Sequence, residues 1–287
     1  MKIAVIDIGS NSVRLAMVSD GKTIYKRLAT TRLGEGLSVT GKLSAEAIAR
    51  TVAAVANLSA EAQKDGADKV YAFATAAVRS APNGYEFVEK LKKDCGIQAE
   101  VLSGETEARC GVLGALQGKD GGIIDVGGAS TEIILQKGGK TVYSESIDIG
   151  TVRLHDLAGR DREKLERVIE EKLSAYKNIK SHGSEFCAIG GTATRLAAIK
   201  HGLKEYNPQI THGTVLTTDL LEKYSNALLT APIEEIRANS ICKNSADIVG
   251  GGCFLLYSVV KKLCLSKVTV SESDNLEGYL ALKEGNI

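Results

Sequence analysis

The chain has 287 residues, which suits two domains of ordinary size. A hydrophobic content of 44%, a charged content of 25% and a net charge of +1 give no global reason to expect nucleic-acid binding. No signal peptide is expected, because Asp7 and Asn11 interrupt the N-terminal apolar run, and no run of about 18 apolar residues predicts a membrane span. We therefore expect a cytoplasmic protein that binds neither nucleic acid nor membrane.

Short apolar runs bounded by glycine-containing turns alternate with helical patterns, and this alternation predicts an α/β fold. In chain order, strands are predicted at 2–8, 13–18, 23–29, 70–75, 99–102, 186–189 and 268–271, with a further hairpin around 123–135. Helices are predicted after Ser44, at 85–93, 103–116, 162–176, 246–262 and 276–283, and after the turns at 150 and 190. The glycine-rich segment 32–37 is predicted to be a loop.

The hairpin turn Asp125–Glu132 (DVGGASTE) carries the clearest chemical pattern. Its paired glycines let a ligand approach backbone N–H groups, and Ser130 adds a hydroxyl donor. Asp125 and Glu132 add carboxylates, which a phosphate site tolerates only with a cation in between. On its own, the pattern fits a phosphate site with a divalent metal and a structural turn equally well.

The same pattern opens the chain at Asp7–Arg14 (DIGSNSVR). The offset between the two copies stays constant further on, where Gly21–Tyr25 aligns with Gly139–Tyr143. A shared register through a turn and the next hairpin indicates two related domains. Two such turns facing each other across a cleft would form a phosphate clamp, as in actin-like and sugar-kinase folds.

This repeat predicts a first domain at residues 1–120 and a second at 121–274. The C-terminal helix, at about 275–287, is expected to pack back on the first domain. A hinge near 119–121 would let the domains close over a substrate.

Three further positions are candidates for chemistry. Arg79 follows a predicted strand end, where open α/β sheets place ligand-binding groups, although a solvated surface charge is the more common interpretation of a single arginine. Glu107 lies in the first turn of a predicted helix, as either a structural carboxylate or a general base at the cleft. Gly190–Thr192 joins a strand to a helix N-terminus, which is a weak signal for an anion or nucleotide site.

Histidines and cysteines give no comparable signal. The six cysteines form no CxxC pair, and we interpret them as reduced thiols. His155, His182 and His201 lack metal-ligand spacing, and His212 is interpreted as a structural loop residue.

With these motifs in order, the chain resembles the Ppx/GppA phosphatases, which are exopolyphosphatases and guanosine pentaphosphate phosphohydrolases of the actin-like superfamily. The resemblance covers nearly the whole chain. Its motifs are DIGSNSVRL (7–15), LGEGL (33–37), ATAAVRSA (74–81), LSGETEAR (102–109), DVGGASTE (125–132), IGGTAT (189–194), ADIVGGG (246–252) and VS…EG (270–278).

The resemblance implies two actin-like, ribonuclease H-like domains around an interdomain cleft. It implies that Glu107 is the general base, that Arg79 contacts phosphate, and that Asp125, Glu132 and Asp7 lie near a required Mg²⁺ or Mn²⁺. The phosphate-binding residues that it implies are Ser10, Asn11, Ser12, Gly127, Gly128, Ala129 and Ser130. Gly190, Gly191 and Thr192 fall where related folds contact a nucleotide.

The chain departs from the family pattern at three places. Ala129 stands where a third glycine is common, Ser245 replaces a frequent arginine, and Asp274–Leu276 replaces a more usual Gly-Leu-Arg run. The chain also stops where longer relatives continue into a helical, HD-like region. These departures concern long-polyanion binding and processivity rather than phosphate chemistry itself.

The resemblance implies hydrolysis of the terminal phosphoanhydride of inorganic polyphosphate, with in-line attack by a water that Glu107 deprotonates. The nearest alternative is the same reaction on the 5′-phosphate of guanosine pentaphosphate (pppGpp). An actin-like ATPase or kinase, and a non-catalytic binder of polyphosphate or alarmones, are further alternatives that the complete motif set disfavours. A homodimer is expected from the resemblance alone.

Overall fold

The computed structural model describes residues 1–174, 176 and 183–285, and the structural statements below concern these residues. The strands are β1 (Lys2–Ile8), β2 (Ser12–Ser19), β3 (Lys22–Thr30), β4 (Lys69–Ala74), β5 (Ala99–Val101), β6 (Gly121–Val126), β7 (Thr131–Lys137), β8 (Lys140–Ile147), β9 (Phe186–Ile189), β10 (Val215–Thr217) and β11 (Lys267–Val270). The helices are α1 (Leu37–Thr40), α2 (Ala45–Lys64), α3 (Ala76–Ser80), α4 (Gly84–Cys95), α5 (Gly104–Leu116), α6 (Thr151–Ala158), α7 (Arg162–Leu173), α8 (Gly190–Lys200), α9 (Pro208–Thr211), α10 (Thr218–Thr230), α11 (Ile233–Ala238), α12 (Val249–Lys262) and α13 (Asn275–Glu284).

The strands form two sheets with the same topology. The first has the order β3-β2-β1-β4-β5, and the second has the order β8-β7-β6-β9-β11 with β10 as an extra edge strand. In each, the leading strand (β1 or β6) pairs antiparallel with the next strand and parallel with the strand that follows a helical crossover. This repeated 3-2-1-4-5 order is that of the ribonuclease H-like fold, so the predicted fold class is confirmed.

Alternation along β1 buries both faces of the first sheet. Ala4 and Ile6 belong to a core shared with α2 and α4, whereas Ile3 and Val5 pack on the opposite face with Tyr279 of α13. Because both faces are covered, the strand is apolar almost throughout, and polar side chains come at its end, where the sheet meets the cleft.

Helix α5 lies between the two sheets. Cys110 packs with Tyr279 in the core of the first sheet, whereas Val112 and Leu116 pack against Ile123 of β6 in the second. Helix α13 packs along α5 and contacts β1, so the end of the chain lies against the first sheet. This position lets α5 carry a side chain into the space between the sheets.

The sequence predictions differ from the structure mainly at the ends of helices and in short helices and strands. Helix α12 begins at Val249 rather than 246, α7 ends at Leu173 rather than 176, and the predicted loop 32–37 leads directly into the four-residue helix α1. Residues 210–213, predicted as a loop, include the end of the four-residue helix α9. No prediction covers β10, α10 or α11, and a short strand such as β10 depends on its tertiary pairing with β11. His182 lies outside the described residues. Within the described residues, no helix is long and apolar enough to cross a membrane.

Candidate active site

The two glycine-containing turns lie opposite each other and line one cavity between the sheets. Ser10–Ser12 belong to the first turn and Gly127–Ser130 to the second. A Cβ atom on Gly128 would lie only 2.8 Å from the Ser10 Cβ and 3.0 Å from the Asn11 nitrogen, so the turns touch where only glycine fits. The cavity volume is about 100 Å³, several times what one water molecule needs.

The same backbone bond closes both turns. The Gly9 N–H donates to the Ser12 carbonyl at 3.0 Å, and the Gly127 N–H donates to the Ser130 carbonyl at 3.0 Å. Each bond closes the turn of a β-hairpin, and the two hairpins occupy equivalent positions in the two sheets. The repeat seen in the sequence is therefore a repeat of local geometry.

Backbone N–H groups of neighbouring segments donate hydrogen bonds to the carbonyl groups of the turns. The Asn11 carbonyl accepts from the N–H groups of Thr31 (3.0 Å) and Arg32 (2.8 Å), and the Gly128 carbonyl accepts from those of Val152 (2.8 Å) and Arg153 (3.1 Å). With their carbonyls held in this way, the turns present N–H and hydroxyl donors to a ligand, which is the donor set of an anion site.

Four carboxylates line the same cavity. Asp7 and Asp125 are the next-to-last residues of the equivalent strands β1 and β6, and Glu132 is the second residue of β7. Glu107 is buried in the first turn of α5, which Ser103 caps by accepting from the Thr106 N–H at 3.1 Å. These carboxylates come from four separate elements that meet at the cleft.

Arg79 lies behind Glu107 rather than on the cavity wall. Its Nη1 atom donates to Glu107 Oε2 at 2.8 Å and to the Leu102 carbonyl at 2.8 Å. The family resemblance implies a phosphate contact for this arginine, and in the structure its side chain binds the Glu107 carboxylate, which lines the cavity. Arg79 lies in the last turn of α3, the short helix that follows β4.

Arg14 is a site residue that the sequence reasoning missed. It lines the cavity, its Nε atom donates to Asp7 Oδ2 at 3.0 Å, and its two terminal nitrogens bind Asp7 and Asp274. Asn275 Nδ2 donates to Asp125 Oδ2 at 3.3 Å. The run at 274–276, a departure from the family pattern, thus contacts Arg14 of β2 and Asp125 of β6.

Burial and mutual repulsion raise the pKa values of the cavity carboxylates. Burial raises the pKa of Asp125 to about 7, against the attraction of Arg14, and Asp274, Glu107 and Asp7 add to the rise. Burial also raises the pKa values of Glu107, which Arg79 opposes, and of Asp7, which Arg14 opposes. The pKa of Glu132 lies well above its usual range because of burial, Glu107 and Asp125.

Known phosphatases resemble this chain in sequence and in fold. The sequence model of the Ppx/GppA phosphatase family matches residues 14–286. The chain belongs to the Ppx/GppA phosphatase family. Exopolyphosphatase 2 of Mycobacterium tuberculosis is 29% identical over 96% of this chain and 97% of that protein.

Two crystal structures share the fold of this phosphatase over its full length. An exopolyphosphatase-like protein has a TM-score of 0.91 at 24% identity, covering 100% of this chain and 99% of its own. The Ppx/GppA protein of Aquifex aeolicus has a TM-score of 0.77 at 30% identity, covering 100% of this chain and 98% of its own. The protein is thus a phosphoanhydride hydrolase of the Ppx/GppA type, with two actin-like sheets around its cleft.

The cavity carboxylates of this phosphatase suit a divalent cation that also binds water and phosphate oxygens. The Asp7 Oδ1 atom is buried without a hydrogen-bond partner among the described residues. Burial, with smaller effects from Asp274, Glu107 and Asp7, raises the pKa of Asp125, so a bound cation would favour its ionised form. Over residues 1–174, 176 and 183–285, no three His, Cys, Asp or Glu side chains converge as a ready metal site. Mg²⁺ fits such a place, because it is usually held by one or two carboxylates together with water and phosphate oxygens.

The third predicted turn also reaches the cavity. Gly190, Gly191 and Thr192 line it at the start of α8, and the Thr192 Oγ1 atom donates to the Val126 carbonyl at 2.9 Å. The threonine hydroxyl therefore has its hydrogen-bond partner within the protein, whereas Gly190 and Gly191 line the cavity. Arg195, one helical turn further on, lines the cavity too, and sequence reasoning did not single it out.

Two other motifs play supporting roles. Asp247 of the ADIVGGG motif accepts from both terminal nitrogens of Arg32, at 2.6 and 2.7 Å, and so ties the loop before α12 to the loop after β3. The His212 ring accepts from the Glu272 N–H at 3.2 Å and does not line the cavity, which agrees with the structural role expected for it.

Proposed function

We propose that this phosphatase is an exopolyphosphatase that hydrolyses the terminal phosphoanhydride of inorganic polyphosphate and releases orthophosphate. The observation that supports the proposal is one cavity in which two anion-binding turns face each other beside the buried carboxylate of Glu107. The similarity to a named exopolyphosphatase supports the choice of polyphosphate.

In this proposal the two turns hold the terminal phosphate. N–H and hydroxyl donors of Ser10–Ser12 and Gly127–Ser130 would neutralise its oxygens, and positioning with charge neutralisation would supply most of the catalysis. When bound, Mg²⁺ would add positive charge at the phosphate oxygens, and one or two of Asp125, Glu132 and Asp7 would hold it.

Glu107 would accept the proton of the attacking water. Burial raises its pKa towards the working range of a general base, while the Arg79 guanidinium favours the ionised carboxylate. Because Arg79 holds one oxygen of Glu107 at 2.8 Å, it would also fix the direction of the other. We assign Arg79 as the positioning residue of the base.

A second candidate is removal of the 5′-terminal phosphate of pppGpp. Its support is that Gly190, Gly191 and Thr192 line the same cavity, at the place where related folds contact a nucleotide. Both reactions use the same phosphate chemistry and differ in what lies beyond the scissile bond.

The test is phosphate release from short polyphosphate, long polyphosphate and pppGpp, each with Mg²⁺ and with EDTA, for wild type and Glu107→Gln. We expect Mg²⁺-dependent release from polyphosphate and a loss of about 10²–10⁴-fold in kcat for the variant, with orthophosphate binding retained. Glu105→Gln is the matched control, since Glu105 is exposed on the same helical turn.

Three results would count against the proposal. A wild-type rate for Glu107→Gln would remove the assigned base. Release from pppGpp alone would favour the second candidate. No release from any of the three substrates would exclude both reactions.

A further inference from the structure

The segment that follows β3 holds the first anion-binding turn in place. The N–H groups of Thr31 and Arg32 donate to the Asn11 carbonyl at 3.0 and 2.8 Å. The Gly34 N–H donates to the Ser10 carbonyl at 2.8 Å, and a Cβ atom on Gly34 would lie 3.1 Å from the Ser10 Cβ. The segment therefore packs directly against the turn, and a movement of the segment would move the carbonyl groups of the turn with it.

The same segment is bound from the other side of the cleft. Both terminal nitrogens of Arg32 donate to the Asp247 carboxylate, at 2.6 and 2.7 Å, and Nη2 also donates to the Asn244 carbonyl at 3.2 Å. The Gly36 N–H donates to Asp156 Oδ2 at 3.0 Å. Asp247 lies just before α12 and Asp156 lies in α6, and both helices pack in the core of the second sheet. The segment thus connects the two sheets.

The backbone of Arg32 links these two sets of contacts. Its φ of 50° lies in the left-handed region, which residues other than glycine, asparagine and aspartate rarely adopt. Such a conformation persists where the surrounding structure holds it. Here the Asn11 carbonyl holds the N–H group and the Asp247 carboxylate holds the guanidinium. Release of the guanidinium would let Arg32 relax, and its N–H group would then move away from the Asn11 carbonyl.

The second turn has an equivalent arginine whose side chain stays on its own side of the cleft. The Arg153 N–H donates to the Gly128 carbonyl at 3.1 Å, as that of Arg32 does to the first turn. The Arg153 side chain pairs with Asp148 at 3.1 Å, and both residues follow β8 of the second sheet. The Asp148 side chain is 78% exposed, so this pair contributes little. The two arginines therefore hold equivalent carbonyls and differ in what holds their side chains.

We infer that residues 32–36, which we call the bridging loop, couple the position of the second sheet to the geometry of the first turn. Asp247 is then a positioning residue that acts through Arg32. The inference rests on the proposed function in one respect, because it takes the first turn to bind phosphate. The Arg32–Asp247 pair would favour the arrangement in which the two turns face each other before substrate arrives. Such preorganisation lowers the cost of binding, so the pair would affect affinity more than the rate of the bound complex.

Hydrogen exchange in the free protein tests this coupling without any substrate. The substitution is Asp247→Asn, which removes the charge of the carboxylate and keeps its size. We expect the amides of residues 31–34 to exchange about 5–20-fold faster, in the lower part of the usual range for coupling between sites because the pair is partly exposed. Asp148→Asn is the matched control: it removes the partner of Arg153 and should leave exchange at residues 31–34 unchanged.

Phosphate release from inorganic tripolyphosphate with Mg²⁺ tests the consequence for the site. We expect Asp247→Asn to raise KM by about 5–20-fold and to change kcat by less than about threefold, because the substrate-bound arrangement is the same. A role in stability alone would lower Tm and leave KM unchanged. Arg32→Met should raise KM similarly, and the double variant should be no worse than either single variant, since both remove the same pair.

Unchanged exchange at residues 31–34 in Asp247→Asn, or an equal increase in Asp148→Asn, would overturn the inference. Additive increases of KM in the double variant, or a loss confined to kcat, would overturn it too. If Asp247→Asn does not fold, Arg32→Lys carries the same measurements, because it keeps the charge and loses the bidentate contact. Failure of the proposed function would appear separately, as wild-type protein that releases no phosphate, and the exchange experiment would still test the coupling.

Discussion

The two turns have the same backbone and opposite electrostatics. A Gly N–H to Ser carbonyl bond of 3.0 Å closes each turn, and an aspartate is the next-to-last residue of each leading strand. The cross-strand partner of Asp7 is Arg14, whereas that of Asp125 is Glu132. Opposite charges in such pairs stabilise a sheet and like charges destabilise it. The first turn is thus balanced within the protein, and the second carries excess negative charge.

The pKa values follow this difference. Arg14 and Lys26 hold the pKa of Asp274 below its usual range despite burial, and Arg14 opposes the rise at Asp7. Asp125 rises to about 7 even with Arg14 nearby, and the pKa of Glu132 also lies well above its usual range. The two hairpins therefore share their turn geometry and differ in charge. We propose that the divalent cation belongs chiefly to the second turn.

The largest effect is expected from removing the internal cation of the first turn. Arg14→Met would leave Asp7 and Asp274 buried without their shared partner, and breaking a buried pair typically costs about 3–5 kcal/mol. The measurement is the shift in urea and thermal midpoints. The matched control is Arg27→Met on β3, whose ion pair with Glu61 is exposed and should be worth less than about 1 kcal/mol.

Equal losses for the two arginine variants would contradict the view that Arg14 balances the first turn. A larger loss of stability for Arg14→Met at pH 7 than at pH 4 would support that view, because protonation of Asp7 at low pH removes the unpaired charge. That pH dependence follows from burial, which already raises the pKa of Asp7 while Arg14 is present.

Sequence reasoning found the fold because the hairpins recur in register and the apolar runs alternate with helical patterns. It aligned Asp7 with Asp125, and the alignment also places Arg14 against Glu132. It could not show that Asp274, 260 residues from Arg14, completes the ion-pair cluster, because α13 brings that contact from the end of the chain.

The role of Arg79 shows a second limit. The strand-end rule predicts a ligand contact for Arg79, which lies in α3, directly after β4. Glu107, carried in by α5, faces the cavity, and Arg79 binds it from behind. Which of two neighbours faces a ligand depends on how α5 packs between the sheets, and local pattern does not contain that information.

A smaller effect, on the rate and its metal dependence, is expected from the second turn. Glu132→Gln removes one carboxylate and keeps the acceptor for the Ser146 hydroxyl, which lies 2.7 Å from Glu132 Oε1. We expect phosphate release to fall by about 10–100-fold at low Mg²⁺ and to recover partly as Mg²⁺ is raised, as for weakened metal binding. Titration of the rate with Mg²⁺ measures this.

Asp7→Asn provides the comparison from the first turn. If the cation belongs chiefly to the second turn, Asp7→Asn raises the Mg²⁺ requirement less than Glu132→Gln does. An equal increase would place the cation between the two turns, and no increase for either variant would remove both residues from its binding.

A third effect is a pH dependence of stability in EDTA. An aspartate in the unfolded chain has a pKa of about 3.9, whereas that of folded Asp125 is raised to about 7. The folded state therefore retains a proton that the unfolded state releases, so this stability is complete below about pH 4 and is lost as pH rises through 7. We expect Tm to fall between pH 5 and pH 7.5, by about 2–4 °C for each kcal/mol lost.

Asp125→Asn should flatten this slope, because the amide has no proton to release. Asp7→Asn should flatten it less, since Arg14 already opposes the pKa rise at Asp7. Mg²⁺ competes with the proton for the same carboxylates, so adding it should raise the wild-type Tm more at pH 7.5 than at pH 5. If Tm falls with pH equally in wild type and Asp125→Asn, the charge of the second turn is as well balanced as that of the first. The proposed electrostatic difference between the turns would then be wrong.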